Sequence, residues 1–280
     1  MAHASSELIL NPDGTVYHLG LSPDDLAPLI FTVGDPDRVD EVSQHFDRVY
    51  WKRSRREFNM HRGRLGKHEV LVMSTGMGTD NIDIVLNELD ALANINFETR
   101  ENKTDLQTLT IVRIGTSGAV DPSIPLGSHL FSAGALSFDG LLPFYEHSFE
   151  KVELGHFSVR PYYIPAPISQ MQLPEDTLQG ITATLPGFYG PQGRTIRTVS
   201  SFKQTMDRLP EWQRDGHSVT NFEMETAGIY ALSHLLGHRA YSFSALLANR
   251  RLGTFHPDPA ERVDALIKKV LAWASTLELK

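Results

Sequence analysis

The order of apolar and polar positions along this chain predicts short buried strands that alternate with amphipathic helices. The apolar run of residues 29–34, LIFTVG, is closed by glycine and is typical of a buried strand. Residues 79–95 instead carry apolar side chains at i, i+3, i+4, i+7 and i+10, which lie on one face of a helix. The side chains on that face are Ile82, Val85, Leu86, Leu89 and Leu92. Strands interleaved with helices predict the α/β class, with a mixed sheet covered by helices.

The same patterns place the other elements. A helix is predicted after residue 34 from the spacing of Val39, Val42 and Phe46, and another from about Glu225 to Leu236. The apolar face of a C-terminal helix is Val263, Leu266, Ile267, Val270 and Leu271. Further strands are predicted at 48–53, 56–66, 68–78, 106–118, 127–138 and 240–250. The Pro-rich residues 157–187 show no helical period.

Length and composition then limit the class of protein to which the chain can belong. With 280 residues, 41% of them hydrophobic, the chain can bury one large core, and no repeat or low-complexity tract marks a linker. We therefore predict a single domain over residues 1–280, with residues 1–14 as a loosely ordered N-terminal extension. The chain has no cysteine, which excludes disulfides and thiolate chemistry and suits a reducing compartment.

Charge and hydropathy also limit the partners. The N-terminus lacks the basic region and apolar core of a signal peptide, and no apolar run approaches the roughly 18 residues that a membrane span requires. We expect a cytoplasmic protein that does not bind a membrane. The net charge of -8 argues against a nucleic-acid partner, although arginines can still be gathered locally around one anion.

Two apparent binding-site motifs in the sequence are incomplete. His234 and His238 are four residues apart on a predicted helix, but the glutamate of an HExxH zinc motif and a third ligand are missing. Residues 74–81, STGMGTDN, have two glycines spaced as in a dinucleotide-binding loop, but the third glycine and the later acidic residue are absent. The sequence therefore predicts neither a metal ion nor a dinucleotide cofactor.

Glycine turns with arginines at strand ends give a stronger signal. Gly34 ends a predicted strand, where its amide can approach an anion, and Arg38 follows in the next helix. Arg113 precedes a bend of small residues that includes Thr116, and Arg56 comes from a predicted hairpin. Taken singly, each segment is also typical of a turn or a surface ion pair. Because the guanidinium fork matches phosphate oxygens, together they predict an oxyanion pocket.

Residues 221–228, NFEMETAG, place two acids at the predicted start of a helix. Glu223 and Glu225 lie on either side of Met224. A carboxylate at this position is typical of a helix cap or of a favourable partner for the helix dipole. From the residues alone, that structural interpretation is the simplest one.

Seven short motifs, taken in order, resemble those of the nucleoside phosphorylase family, and among its members the uridine phosphorylases most closely. They are YHLGL, GDPDR, SRREF, STGMG, RIGTSG, GFYGPQGR and NFEMETAG, and the resemblance runs from about residue 17 to residue 275. It implies a three-layer α/β/α fold around a twisted mixed sheet. It also implies a homo-oligomer, with a dimer as the minimal unit and hexamers common, in which each active site takes residues from a neighbouring subunit.

The resemblance also implies a role for each matching residue. Phosphate would bind to Gly34, Arg38, Arg113 and Thr116, with Arg56 donated by the partner subunit. Glu225 would accept hydrogen bonds from the ribose hydroxyls, Met224 would pack against the sugar, and Glu223 would assist or brace. The partner subunit's His18 would reach the 5′-hydroxyl.

For the base, the resemblance assigns Phe188 to stacking, and Gln192 with Arg194 to the amide edge. Because Gln can donate and accept while Arg only donates, this pair suits a ring with adjacent C=O and N–H groups, such as uracil. The catalytic set implied is Arg113, Glu225, Gln192 and Arg194.

The implied reaction is reversible phosphorolysis of uridine to uracil and ribose 1-phosphate, a step of pyrimidine salvage. The implied partners are a small-molecule nucleoside and inorganic phosphate as co-substrate, without a cofactor. Three alternatives stay open: a purine nucleoside phosphorylase, a nucleosidase of the same fold that uses water, and a non-catalytic nucleoside sensor. Gln192 and Arg194 argue against the first, and Arg38, Arg56 and Arg113 argue against the second.

Overall fold

The computed structural model of the protein describes residues 2–154, 159–168 and 172–279. Its strands are β1 (Leu29–Val33), β2 (Arg48–Arg55), β3 (Phe58–Leu65), β4 (His68–Ser74), β5 (Ile95–Asn96), β6 (Glu101–Asn102), β7 (Thr110–Ala119), β8 (His129–Ser137), β9 (Glu150–Lys151), β10 (Tyr162–Pro165), β11 (Leu178–Thr184), β12 (Gln213–Arg214), β13 (His217–Glu223), β14 (Arg239–Asn249) and β15 (Thr254–Phe255). Its helices are α1 (Arg38–Ser43), α2 (Thr79–Asn94), α3 (Lys203–Arg208), α4 (Thr226–Leu236) and α5 (Pro259–Ala274). Short 3-10 helices cover Pro23–Asp25, Leu142–Phe144, Gly190–Gln192 and Leu209–Glu211.

One mixed sheet connects most of the strands. Its order is β12-β13-β11-β8-β14-β7-β1-β4-β3-β2. Strand β7 pairs in parallel with β1 and β14 and antiparallel with β13. Because β13 pairs with both β11 and β7, the strands β13, β11, β8, β14 and β7 close on themselves. The mixed sheet with helices that the sequence predicted is confirmed.

The helices pack on the sheet through two apolar clusters. The first contains side chains of α2 and α4, and the second contains side chains of α1 and α5. The five side chains predicted for the apolar face of α2 and the five predicted for α5 are all buried there, which confirms both faces. Each buried Leu, Ile or Val contributes about 1.5–3 kcal/mol. Among the described residues, no helix combines the length and the apolarity that crossing a bilayer requires.

Two local predictions were wrong. Helix α1 ends at Ser43, so Phe46 is buried beyond the helix and not on its face. His234 and His238 do not share a helix, because Gly237 adopts a left-handed conformation with φ of 77° and ends α4 before His238.

The described part of the predicted N-terminal extension contacts the rest of the chain. Leu8 is buried, and Leu10 forms an antiparallel bridge to Val16. The Arg100 guanidinium donates from Nε to the carbonyl oxygen of His3 at 2.9 Å. A single domain with this segment as a looser extension stays a prediction.

Strand register brings several chain segments to one edge of the sheet. Val33 at the end of β1 pairs with Ser74 at the end of β4, in parallel. Thr184 and Glu223, the last residues of β11 and β13, also form a parallel pair. Arg113 lies in β7, which is parallel to β1. Ligands of such sheets usually bind at the carboxyl ends of the strands, so this edge is the expected position of a site.

Candidate active site

A cavity of about 840 Å³ opens at this edge of the sheet. Its walls come from the segments that follow β1, β4, β11 and β13 and from residues of β7 and β14. All but two of the predicted site residues line it: Gly34, Arg38, Arg113, Thr116, Phe188, Gln192, Arg194, Glu223, Met224 and Glu225. A cavity of this size is typical of a small-molecule site.

Arg113 makes a buried ion pair with both acids near the start of α4. Its Nη2 lies 2.6 Å from Oε2 of Glu225 and 3.1 Å from Oε2 of Glu223, and its Nη1 donates to Ser244 Oγ at 3.4 Å. Burial alone would lower the pKa of Arg113, but the two carboxylates raise it, so the guanidinium stays charged. The position depends on Gly115, because a Cβ there would lie 2.0 Å from Nη1 of Arg113.

Glu223 caps the N-terminus of α4. Its Oε2 accepts hydrogen bonds from the backbone N–H of Glu225 at 2.8 Å and of Thr226 at 2.9 Å. Its Oε1 accepts from the Thr184 hydroxyl at 2.6 Å. The helix-cap interpretation of the sequence therefore holds for Glu223, and these contacts occupy most of its acceptor positions.

Glu225 turns its carboxylate away from the helix and towards the cavity. It makes no side-chain cap bond; its Oε1 accepts from the Gly78 N–H at 2.8 Å, and its Oε2 accepts from Arg113. Burial raises the pKa of Glu225, while Arg113 opposes the shift. A carboxylate has roughly four acceptor positions, so Glu225 keeps about two for a ligand.

Arg38 brings a second guanidinium to the cavity. Its Nε is buried and has no hydrogen-bond partner among the described residues. Burial lowers the pKa of Arg38, which means that the charged form is poorly solvated where it lies. Buried polar groups normally have partners, so this one indicates an acceptor that enters the cavity. Gly34, Thr116 and Arg113 line the same cavity, which brings this chain's own predicted phosphate ligands together.

A second group of cavity residues consists of Phe188, Gln192 and Arg194. The Nη1 of Arg194 donates to Gln192 Oε1 and to the Phe188 carbonyl oxygen, both at 2.6 Å. The Arg194 guanidinium carbon lies 3.6 Å from the centre of the Phe188 ring. Burial lowers the pKa of Arg194 to about 10, and the charge of Arg250 adds to the shift. Because Arg194 holds the Gln192 oxygen, the amide Nε2 of Gln192 is the atom left to donate.

Arg250 is a cavity residue that the sequence motifs did not single out. It follows Asn249, the last residue of β14, and its buried Nε has no partner among the described residues. Burial lowers the pKa of Arg250. The signal that could have found it is its position directly after the last residue of a buried strand. Asn249 donates to the carbonyl oxygen of Asp121 and so serves the fold.

The two remaining predicted residues lie outside the cavity of their own chain. Arg56 has a φ of 54° in the turn between β2 and β3, with its guanidinium carbon 5.5 Å from the centre of the Tyr17 ring. The Nδ1 of His18 lies 2.6 Å from Oε1 of Glu88. A contribution of either residue to a neighbouring subunit stays a prediction.

Comparison with known proteins identifies the family of the chain. Residues 28–275 match the phosphorylase superfamily. The chain is 34% identical to a uridine phosphorylase of Klebsiella aerogenes over 242 residues. This alignment covers 84% of this chain and 86% of the relative. The chain is also 30% identical to a uridine phosphorylase of Thermococcus kodakarensis over 251 residues, and that alignment covers 90% of this chain and 83% of the relative. Among solved structures, a Trypanosoma brucei nucleoside phosphorylase that shows uridine phosphorylase activity matches with a TM-score of 0.80 and 27% identity, over 95% of this chain and 99% of that one.

The chain therefore belongs to the phosphorylase superfamily. Within it, the resemblance to nucleoside phosphorylases, and among these to the uridine phosphorylases, is confirmed.

Proposed function

We propose that this protein is a pentosyltransferase that catalyses the reversible phosphorolysis of uridine to uracil and ribose 1-phosphate. The observation that carries the proposal is one cavity with three kinds of group: the cations of the half-buried Arg38 and the buried Arg113, the carboxylate of Glu225 in contact with Arg113, and the paired Gln192 and Arg194. The uridine phosphorylases among its relatives support the same reaction.

Phosphate binds beside Arg38 and Arg113 in this proposal, with Gly34 and Thr116 lining the same part of the cavity. The unpartnered Nε of Arg38 gains an acceptor when the anion enters. Since Arg113 already donates to Glu225, it links the anion to the carboxylate that binds the sugar. No general base is required, because phosphate is already anionic.

Glu225 accepts hydrogen bonds from the ribose hydroxyls at the positions that Gly78 and Arg113 leave open. Met224 packs against the sugar, and Glu223 braces Glu225 from the cap of α4. A phosphate oxygen bonds to C1′ as the bond from C1′ to N1 of the base breaks, and positive charge develops on the sugar. The negative charge of Glu225 is more favourable beside this state than beside the substrate, so it lowers the barrier.

The base leaves with the electron pair of the broken bond. Gln192, through Nε2, and Arg194 donate to the carbonyl edge of uracil while Phe188 stacks on the ring. Negative charge grows on the base as the bond breaks, so these donors bind the transition state more strongly than the ground state.

A neighbouring subunit completes the site in this proposal. The partner subunit's Arg56 reaches phosphate and the partner subunit's His18 reaches the 5′-hydroxyl, which agrees with the position of both residues outside their own cavity. The homo-oligomer is then a dimer or a hexamer built from dimers. We also propose a three-layer α/β/α arrangement, which the two apolar clusters support. The same proposal includes a cytoplasmic location, a role in pyrimidine salvage and a reaction without a cofactor.

One substrate panel tests the proposal: uridine, inosine and adenosine, each with and without phosphate, with release of the base as the readout. We expect uracil from uridine only when phosphate is present. Base release from inosine or adenosine in preference to uridine would indicate a purine enzyme. Uracil release without phosphate would indicate a hydrolase, and binding without release of any base would indicate a sensor.

A further inference from the structure

Thr184 holds the carboxylate that caps α4, although it does not line the cavity. It is the last residue of β11, it is fully buried, and its register partner is Glu223. An ionised carboxylate can only accept and a backbone N–H can only donate. The Thr184 hydroxyl must therefore donate to Glu223 Oε1, at 2.6 Å, and accept from the Ala227 N–H, at 2.9 Å.

The contacts of Glu223 and Glu225 give the two acids different roles. Glu223 receives the Thr184 hydroxyl, the N–H groups of Glu225 and Thr226, and the guanidinium of Arg113 at 3.1 Å. Three of these contacts are hydrogen bonds and the fourth is an ion pair, so few of the roughly four acceptor positions of the carboxylate stay open. The carboxylate of Glu223 is thus bound by protein groups and not by a ligand. It fixes the backbone of Glu225 and also contacts the guanidinium of Arg113.

We infer that Thr184 is a positioning residue for the reaction: its hydroxyl locks Glu223, and through Glu223 it sets Glu225 and Arg113 in place before the substrates bind. The inference rests on the proposed function and extends it to a residue that does not touch the cavity. Without the hydroxyl, Glu223 Oε1 and the Ala227 N–H both lose a buried partner. The cap of α4 can then rotate, and the carboxylate of Glu225 moves with it.

Thr184→Val and Thr184→Ala both remove the hydroxyl, the first with little change of volume and the second without steric demand. Thr184→Ser keeps it. The matched control is Thr182→Val, two residues earlier on the same strand. Thr182 is also fully buried, and its hydroxyl contacts Ser132 Oγ at 2.6 Å and Asn221 Oδ1 at 3.0 Å, but it does not touch either acid.

Steady-state phosphorolysis of uridine and thermal unfolding should be measured on all five proteins, wild type included. Loss of preorganisation should lower kcat/KM by at least about 10-fold in Thr184→Val and Thr184→Ala, mainly through kcat. Thr184→Ser and Thr182→Val should stay within about threefold of wild type. The two valine variants should lose similar thermal stability, because each leaves buried polar groups unpaired.

The outcomes separate this inference from the proposed function. If the wild type releases no uracil with phosphate, the proposed function is wrong, and the inference is wrong with it. If the wild type is active and the folded Thr184→Ala or Thr184→Val variant keeps wild-type kinetics, only the positioning role is wrong. Equal kinetic losses in Thr184→Ser and Thr184→Ala would also overturn it, because the hydroxyl would then not be the group that matters.

Discussion

The guanidinium of Arg113 and the carboxylate of Glu225 form a buried ion pair with 2.6 Å between Nη2 and Oε2. The two residues come from strand β7 and from the start of helix α4, so the pair joins two distant parts of the chain. In the proposed reaction it also joins the phosphate to the sugar. A cation and an anion that are already aligned need little reorganisation when charge separates at C1′.

Arg113→Ala should raise the KM for phosphate and lower kcat by about 10²–10³-fold, because it removes a charged donor that is fixed in place. It also leaves Glu223 and Glu225 buried without their cation, which should destabilise the fold by about 3–5 kcal/mol. Phosphate kinetics and thermal unfolding check both effects. The exposed Arg251 provides the control, since Arg251→Ala should change neither. A folded Arg113→Ala enzyme with normal phosphate kinetics would remove Arg113 from the site.

Gly115→Ala should weaken phosphate binding through Arg113. The added Cβ would lie 2.0 Å from Nη1 of Arg113, so the guanidinium must leave its place beside Glu225. We expect a higher KM for phosphate and at least about a 10-fold lower kcat/KM. The double variant with Arg113→Ala should be no worse than Arg113→Ala alone, because the displaced group is then already missing. Additive losses would show that Gly115 acts in some other way.

Glu225→Gln should lower kcat for uridine by about 10²–10³-fold, a loss of about 2.7–4 kcal/mol of transition-state stabilisation. The amide keeps the size of the side chain but removes the negative charge that favours the oxocarbenium-like sugar. Glu175→Gln, at an exposed position, is the control and should behave as wild type. Full turnover in Glu225→Gln would contradict the role given to this carboxylate.

The acid limb of the pH profile should depend on Glu225. Burial raises the pKa of Glu225, so its carboxylate takes up a proton at a higher pH than an ordinary glutamate does. The charged form is the active one, and kcat/KM for uridine should therefore fall as the pH drops through that raised pKa. Phosphate titrates as well, so wild type must be compared with Glu225→Gln across the same buffers. Profiles of identical shape would show that Glu225 does not control the limb.

Arg194→Ala should impair recognition of the base while leaving recognition of the sugar phosphate intact. In the reverse reaction, the KM for uracil should rise by about 10-fold or more, and the KM for ribose 1-phosphate should change little. Arg194 also holds Gln192 Oε1, so its loss frees the amide that faces the base. Arg197→Ala, an exposed arginine in the same loop, is the matched control. Equal increases in both KM values would argue against a role in base recognition.

The sequence predicted the parts of this protein that depend on periodic burial. The apolar faces of α2 and α5 were read correctly because each face packs into a single cluster. The end of α4 at Leu236 was predicted correctly, but the end of α1 was missed, because the apolar spacing of Val39, Val42 and Phe46 continues past Ser43, where the helix stops. Boundaries of this kind depend on single residues, and periodicity does not detect them.

For the candidate site, the sequence predicted the residues that short motifs carry, and the structure places most of them in one cavity. The supporting contacts could not be predicted in this way. Thr184 meets Glu223 through the register of two strands, and Gly115 is needed only because Arg113 folds back over it. Such contacts depend on how distant segments pair, so no local spacing in the chain reveals them.

Phosphorus NMR during turnover of uridine shows whether phosphate itself is the nucleophile. Inorganic phosphate should be converted to ribose 1-phosphate, with one uracil formed for each phosphate consumed. Uracil formed together with free ribose while the phosphate signal stays unchanged would contradict this prediction.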